Sequence, residues 1–201
     1  MITKDIGLEK NILGRSALFL RNLSMNILKE LEQNHNKAST LQIVEYVGSD
    51  KKRFEELIKL FFSKNNRISQ RASWPLGYAA IAHPELIYSY LEQMIQNLEN
   101  PIHNAVKRNT IRIMGELDIP ESLLGAAADV CFRFLDDPKE AIATRVFSME
   151  VLLNITKKEP DLANELRIVI EDHYDHGSAG FQARGRKILK ELTKIEKQLN
   201  S

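Results

Sequence analysis

The sequence predicts an all-α solenoid of about four stacked helical hairpins, and three observations predict it. Apolar residues recur at i, i+3, i+4 and i+7 through nearly the whole chain, the mark of amphipathic helices, and no long stretch shows the two-residue alternation of a strand. Prolines stand at segment edges, at Pro84, Pro101, Pro120, Pro138 and Pro160, where a first helical turn tolerates the missing N–H. Small residues recur mid-helix in every second helix, 37 or 38 residues apart.

Residues 1–36 do not follow the repeat. They read as one or two amphipathic helices, about 5–20 and 24–34, that cap the exposed apolar face of the first repeat, as solenoid ends require. An alternative start of translation at Met25 would make residues 1–24 dispensable. The repeat domain is expected over 37–201, with hairpins at about 50–82, 84–117, 120–156 and 160–198. The first helix of each pair covers about 51–62, 84–98, 120–135 and 160–175, and the second about 67–82, 102–117, 138–156 and 178–198. Asn100 and Asp137 precede prolines as expected N-caps. Acids after Pro84, Pro120 and Pro160 suit a helix dipole. Those three prolines recur at 36 and 40 residues, a solenoid period.

The second helices carry the repeat most clearly. Ile68, Val106, Thr144 and Phe181 each open an apolar–small–apolar series at i, i+4 and i+8. The small members are Ala72, Thr110, Ser148 and Gly185, and the closing ones Leu76, Met114, Leu152 and Leu189. Residues four apart share a helix face, and a small side chain mid-face lets a neighbouring helix approach closely.

Residues 106–117, VKRNTIRIMGEL, resemble the second-helix pattern of HEAT repeats, with Val106, Lys107, Met114 and Gly115 at the characteristic positions. The stretch from Tyr46-Val47-Gly48 through Arg71–Leu76 to Ala179-Gly180-Phe181 also resembles a bacterial group of small HEAT-like proteins without a defined role. The likeness spans about residues 40–195, and the Val-Arg pair is degenerate in the other three repeats. It implies a right-handed α-α superhelix whose second helices line the concave side, and it brings no catalytic residues with it.

Charge separates the two layers. The net charge is +1, yet the second helices sum to +8 and the first helices to −9. A concave basic face is therefore expected to dock an acidic protein partner. Positions i+2 and i+6 lie opposite the packing face, at Gln70 and Trp74, Arg108 and Arg112, Val146 and Glu150, Ala183 and Lys187. Trp74, Arg108, Arg112 and Lys187 are the expected groove residues, with Arg71 beside Trp74. Arg71, Arg145, Arg184 and Arg186 lie on helix flanks, where inter-repeat pairing competes with ligand binding. Pro75 removes a backbone donor and is expected to kink its helix near Arg71. That kink either aims Trp74 into the groove or leaves it packed on the capping helices.

Nucleic-acid binding is the alternative, with Arg and Lys meeting phosphates and Trp74 stacking a base. It is similar in logic to HEAT-like DNA alkylation-repair glycosylases, although those need several groove aromatics and a catalytic acid. No enzyme, metal or cofactor signature stands out. Glu171, Asp172, His173, Asp175 and His176 crowd one helix end without the ligand spacing of a zinc site. The glycines at 177 and 180 follow no strand and precede no Walker lysine. Cys131 is the single cysteine, expected to be a buried apolar residue. No apolar run reaches the ~18–20 residues needed to span a bilayer, and the N-terminal stretch has no signal-peptide pattern, so a cytoplasmic location is expected.

Overall fold

The computed structural model describes residues 25–199. The helix expected at about 5–20, and the reading that dispenses with residues 1–24, concern residues outside that range. Among the described residues the chain is helical throughout, without strands: α1 (Ile27–Gln33), α2 (Lys37–Val47), α3 (Lys51–Phe61), α4 (Asn66–Ala82), α5 (Pro84–Ile87), α6 (Leu91–Asn97), α7 (Asn104–Glu116), α8 (Leu124–Asp136), α9 (Ile142–Thr156), α10 (Ala163–Asp172) and α11 (Ala179–Leu199).

Local chemistry sets several starts. Asn26, Asp50 and Asn65 each accept backbone N–H bonds from the first turn of α1, α3 and α4, and Asn36 forms a reciprocal capping box with Ser39 at α2. The first helices of the last three hairpins open or break in short 3-10 turns, at Tyr88–Tyr90, Glu121–Leu123 and Pro160–Leu162. Asn100 and Asp137 are not N-caps, which corrects the sequence expectation. The chain uses the residues around Pro101 and Pro138 to cross between layers, so α7 and α9 begin three or more residues later. His103 caps α7, its Nδ1 accepting from the Ala105 N–H at 3.0 Å. Asp137 ends α8 and accepts from the Lys139 N–H at 2.8 Å, while Ala141 precedes α9 with no side-chain cap.

The second helices stack side by side in the order α4, α7, α9, α11, and α3, α8 and α10 pack on their own partners. Helices α1 and α2 pack against α4 and α3 at the N-terminal end. One hydrophobic core runs from Ile27 to Leu192. The i, i+4, i+8 positions form its seam: Ala72, Leu76, Thr110, Met114, Thr144, Ser148 and Leu152 have no exposed surface, and Leu189 alone of the twelve is half-buried. A Cβ at Gly185 would meet Ile170 Cγ2 at 3.1 Å and Tyr174 Cδ2 at 3.4 Å, so the small residue sets how closely α10 approaches α11.

Polar ties bind each repeat to the next at separations of 33 to 39 residues. Asn109 Nδ2 donates to Ser73 Oγ at 3.1 Å, and Asn154 Nδ2 to the Gly115 carbonyl at 2.9 Å. Lys107 pairs with Glu140 and lies 4.6 Å over the Phe134 ring.

Two buried positions, one in the seam and one on α8, give predictions. The Thr144 hydroxyl is buried without a hydrogen-bond partner. Valine keeps the shape and removes the unmet polar group, so Thr144→Val is expected to raise unfolding free energy by about 1–2 kcal/mol in urea titrations. Burial pushes the Cys131 thiol up to about 12, against the opposing pull of a hydrogen bond with Ser148, so at pH 8 it is protonated as well as inaccessible. It is expected to resist a thiol reagent in the native protein and to react at an ordinary rate once denaturant unfolds the chain. Reaction of the native protein at a free-cysteine rate would contradict this.

Among the described residues no helix is long and apolar enough to cross a membrane.

Candidate functional site

The side chains opposite the seam reach the surface of the second-helix layer. Gln70, Trp74, Arg112, Val146 and Glu150 are half-buried, and Arg108, Ala183 and Lys187 are exposed. Adjacent helices meet along a diagonal on this face: Trp74 and Arg108 line one cleft, the Arg112 guanidinium sits 5.0 Å from the centre of the Tyr78 ring, and Arg184 pairs with Glu150.

The first cleft, about 380 Å³, lies where α4, α7 and α9 converge. Helix α4 contributes Gln70, Ser73 and Trp74. His103 just before α7 and Asn104, Ala105, Arg108 and Asn109 within it line the next stretch, and Ala141 just before α9 and Ala143 within it complete the wall. His35, from the turn between α1 and α2, closes the end, its ring edge-on to Trp74 with centroids 5.8 Å apart. Desolvation against the Trp74 ring and its neighbours, and secondarily the Arg71 charge, holds His35 below its ordinary value of 6.5. A smaller cleft of about 240 Å³ follows between α7, α9 and α11, lined by Arg112, Phe147, Glu150 and Arg184.

The five residues singled out by the sequence are distributed unevenly. Trp74 and Arg108 share the larger cleft, and Arg112 lines the smaller one. Lys187 stands exposed on α11 and lines neither. Arg71 is engaged elsewhere: its Nη1 donates to the Leu31 and Glu32 carbonyls at 2.6 and 2.9 Å, satisfying the end of α1. Among the described residues neither Arg108 nor Lys187 has an ion-pair partner. The flanking arginines are held: Arg145 donates to the Leu135 carbonyl at 2.9 Å, Arg184 pairs with Glu150, and Arg186 reaches the Tyr174 hydroxyl at 3.3 Å.

Trp74 is therefore both packed and available. Helix α4 continues past Pro75, whose ring is buried, to Ala82, and the indole rests on His35 while lining the cleft. Sequence reasoning missed His35 and His103 as cleft residues. His35 lies in the turn between α1 and α2, where the sequence carries no periodic signal, whereas His103 is legible only once α7 is known to start at Asn104. Among the described residues no three His, Cys, Asp or Glu side chains gather as metal ligands. His173 of the acid-rich helix end bonds Asp136 of the preceding repeat at 3.0 Å.

Comparison with curated proteins gave no match, nor did comparison with solved structures. A family model described as a HEAT repeat domain matches residues 27–192, taking in every helix from α1 to most of α11. With the stacked hairpins and the small-residue seam, that match shows that the chain belongs to the HEAT repeat family.

Proposed function

We propose that the protein is a non-enzymatic docking module that holds an acidic protein segment along the face of its second helices. The observation that carries this reading is the state of the cations on that face. Arg108 and Lys187 are exposed and without ion-pair partners among the described residues, while the flanking arginines are engaged in structural contacts. The split between a +8 second-helix layer and a −9 first-helix layer supports the same direction. HEAT repeats generally mediate protein–protein interaction, and stacked repeats provide an extended surface without special chemistry. The buried cysteine fits a reducing cytoplasm.

The test is fluorescence anisotropy with a labelled Glu-rich 20-residue peptide, a Lys-rich control, and single- and double-stranded oligonucleotides, each at two salt concentrations. The acidic peptide is expected to bind and to weaken as salt rises. Arg108→Glu and Lys187→Glu are each expected to weaken it roughly tenfold, about 1.4 kcal/mol. Equal binding of acidic and basic peptides would contradict the proposal. Trp74 beside an unpaired arginine is the one observation favouring a nucleic acid, and oligonucleotide binding with no peptide binding would favour that reading instead.

A further inference from the structure

The cleft beneath Trp74 differs from its neighbours in what it lacks. Its lining contains no aspartate or glutamate. Three other clefts on the molecule carry acids: Glu116 and Asp118 in one, Glu99, Asp129 and Glu165 in another, Glu116 and Glu150 in a third. In a chain with 27 acidic residues among 201, a cleft free of them and containing an arginine is chemically distinct.

Its polar groups are also available. Among the described residues the Arg108 guanidinium, the Trp74 indole N–H and the side-chain amides of Gln70 and Asn104 make no hydrogen bond within the protein. His103 uses Nδ1 for its helix cap, which leaves Nε2 as the second ring nitrogen. By contrast Ser73 and Asn109, deeper in the wall, already bond each other. Arginine and indole donate and do not accept, so this excess of donors matches a ligand rich in acceptors. A planar guanidinium beside an indole suits a carboxylate whose methylenes lie on the aromatic face, and it can take two carboxylate oxygens at once. The primary amides carry both a donor and an acceptor, which is what a peptide backbone presents. A volume of about 380 Å³ is within the size of sites that enclose small ligands.

We propose that this cleft is the anchor site of the docking face, taking one glutamate or aspartate side chain of an extended partner segment. The carboxylate sits on Arg108 and the Trp74 N–H, and Gln70 and Asn104 bond the segment's backbone. The inference rests on the docking reading above and assigns its central contact.

Trp74 is the protein's single tryptophan, so its emission reports the cleft directly. The full chain is titrated with two short capped peptides, acetyl-Ala-Glu-Glu-Ala-amide and its Gln-Gln isostere, and with adenosine monophosphate. The Glu peptide is expected to shift the emission, with the Gln isostere at least tenfold weaker. Arg108→Gln, its fold checked by circular dichroism, is expected to lose at least tenfold in Glu-peptide affinity while leaving the weak Gln-peptide response unchanged. Equal affinity of the two peptides, an unaffected Arg108→Gln variant, or a response to the nucleotide alone would overturn the proposal. The 20-residue acidic peptide separates the two claims. If it binds, weakens with Lys187→Glu and ignores Arg108→Gln, the docking face stands and the anchor is wrong; if it does not bind at all, both fail.

Discussion

Replacing Phe181 by alanine is expected to cost roughly 3–5 kcal/mol of stability, the range for truncating a fully buried aromatic ring. Phe181 is 1 % exposed and opens the packing series of α11. It meets the Arg145 guanidinium at 4.5 Å and the His173 ring at 6.4 Å, so it contacts both the preceding repeat and its own first helix. The preceding turn packs directly on the ring, since a Cβ at Gly177 would lie 2.6 Å from Phe181 Cδ1. In a solenoid each repeat is stabilised mainly through its neighbour. The loss is therefore expected to fall on α10 and α11, which should lose hydrogen-exchange protection at denaturant concentrations where α4 and α7 keep it. Uniform loss of protection along the chain would contradict this.

Arg145→Ala is expected to cost about 2–4 kcal/mol, although Arg145 lines neither cleft of the docking face. The residue is 8 % exposed. Its Nε satisfies the Leu135 carbonyl near the end of α8, and its guanidinium covers Phe181. Burial lowers its pKa, opposed by Asp136 and Asp137, whose charges favour the cation. Truncation leaves a carbonyl without its donor and removes the cation–π contact. Because Arg145 and Phe181 touch, their effects should not add: a double-mutant cycle in urea is expected to give a coupling of about 1–2 kcal/mol. Additive losses would show that the two residues act independently.

The seam was legible in the sequence because burial imposes a periodic demand. Ala72, Thr110, Ser148 and Gly185 sit where helices approach, and a larger residue at any of them would force the layers apart. What stayed hidden depends on contacts between distant segments. Nothing local distinguishes Arg71, which bonds carbonyls 39 and 40 residues away, from Arg108, which bonds none among the described residues. The prolines at 101 and 138 resemble helix starts, yet the crossing between layers uses them first, so Asn100 and Asp137 lose the capping role their sequence context suggests. The cleft's histidines were likewise invisible, since one caps a helix whose start was misplaced and the other lies in the turn between α1 and α2. Half of the groove was thus readable from helix geometry, while the choice among its cations required the structure.

The central claim is that the face of the second helices docks an acidic segment. Its most direct test is a backbone amide NMR map of the protein before and after addition of the Glu-rich 20-residue peptide. The account predicts shift changes concentrated on α4, α7, α9 and α11, strongest around Trp74 and Arg108. Changes concentrated on α3, α6, α8 and α10, or none at saturating peptide, would contradict it.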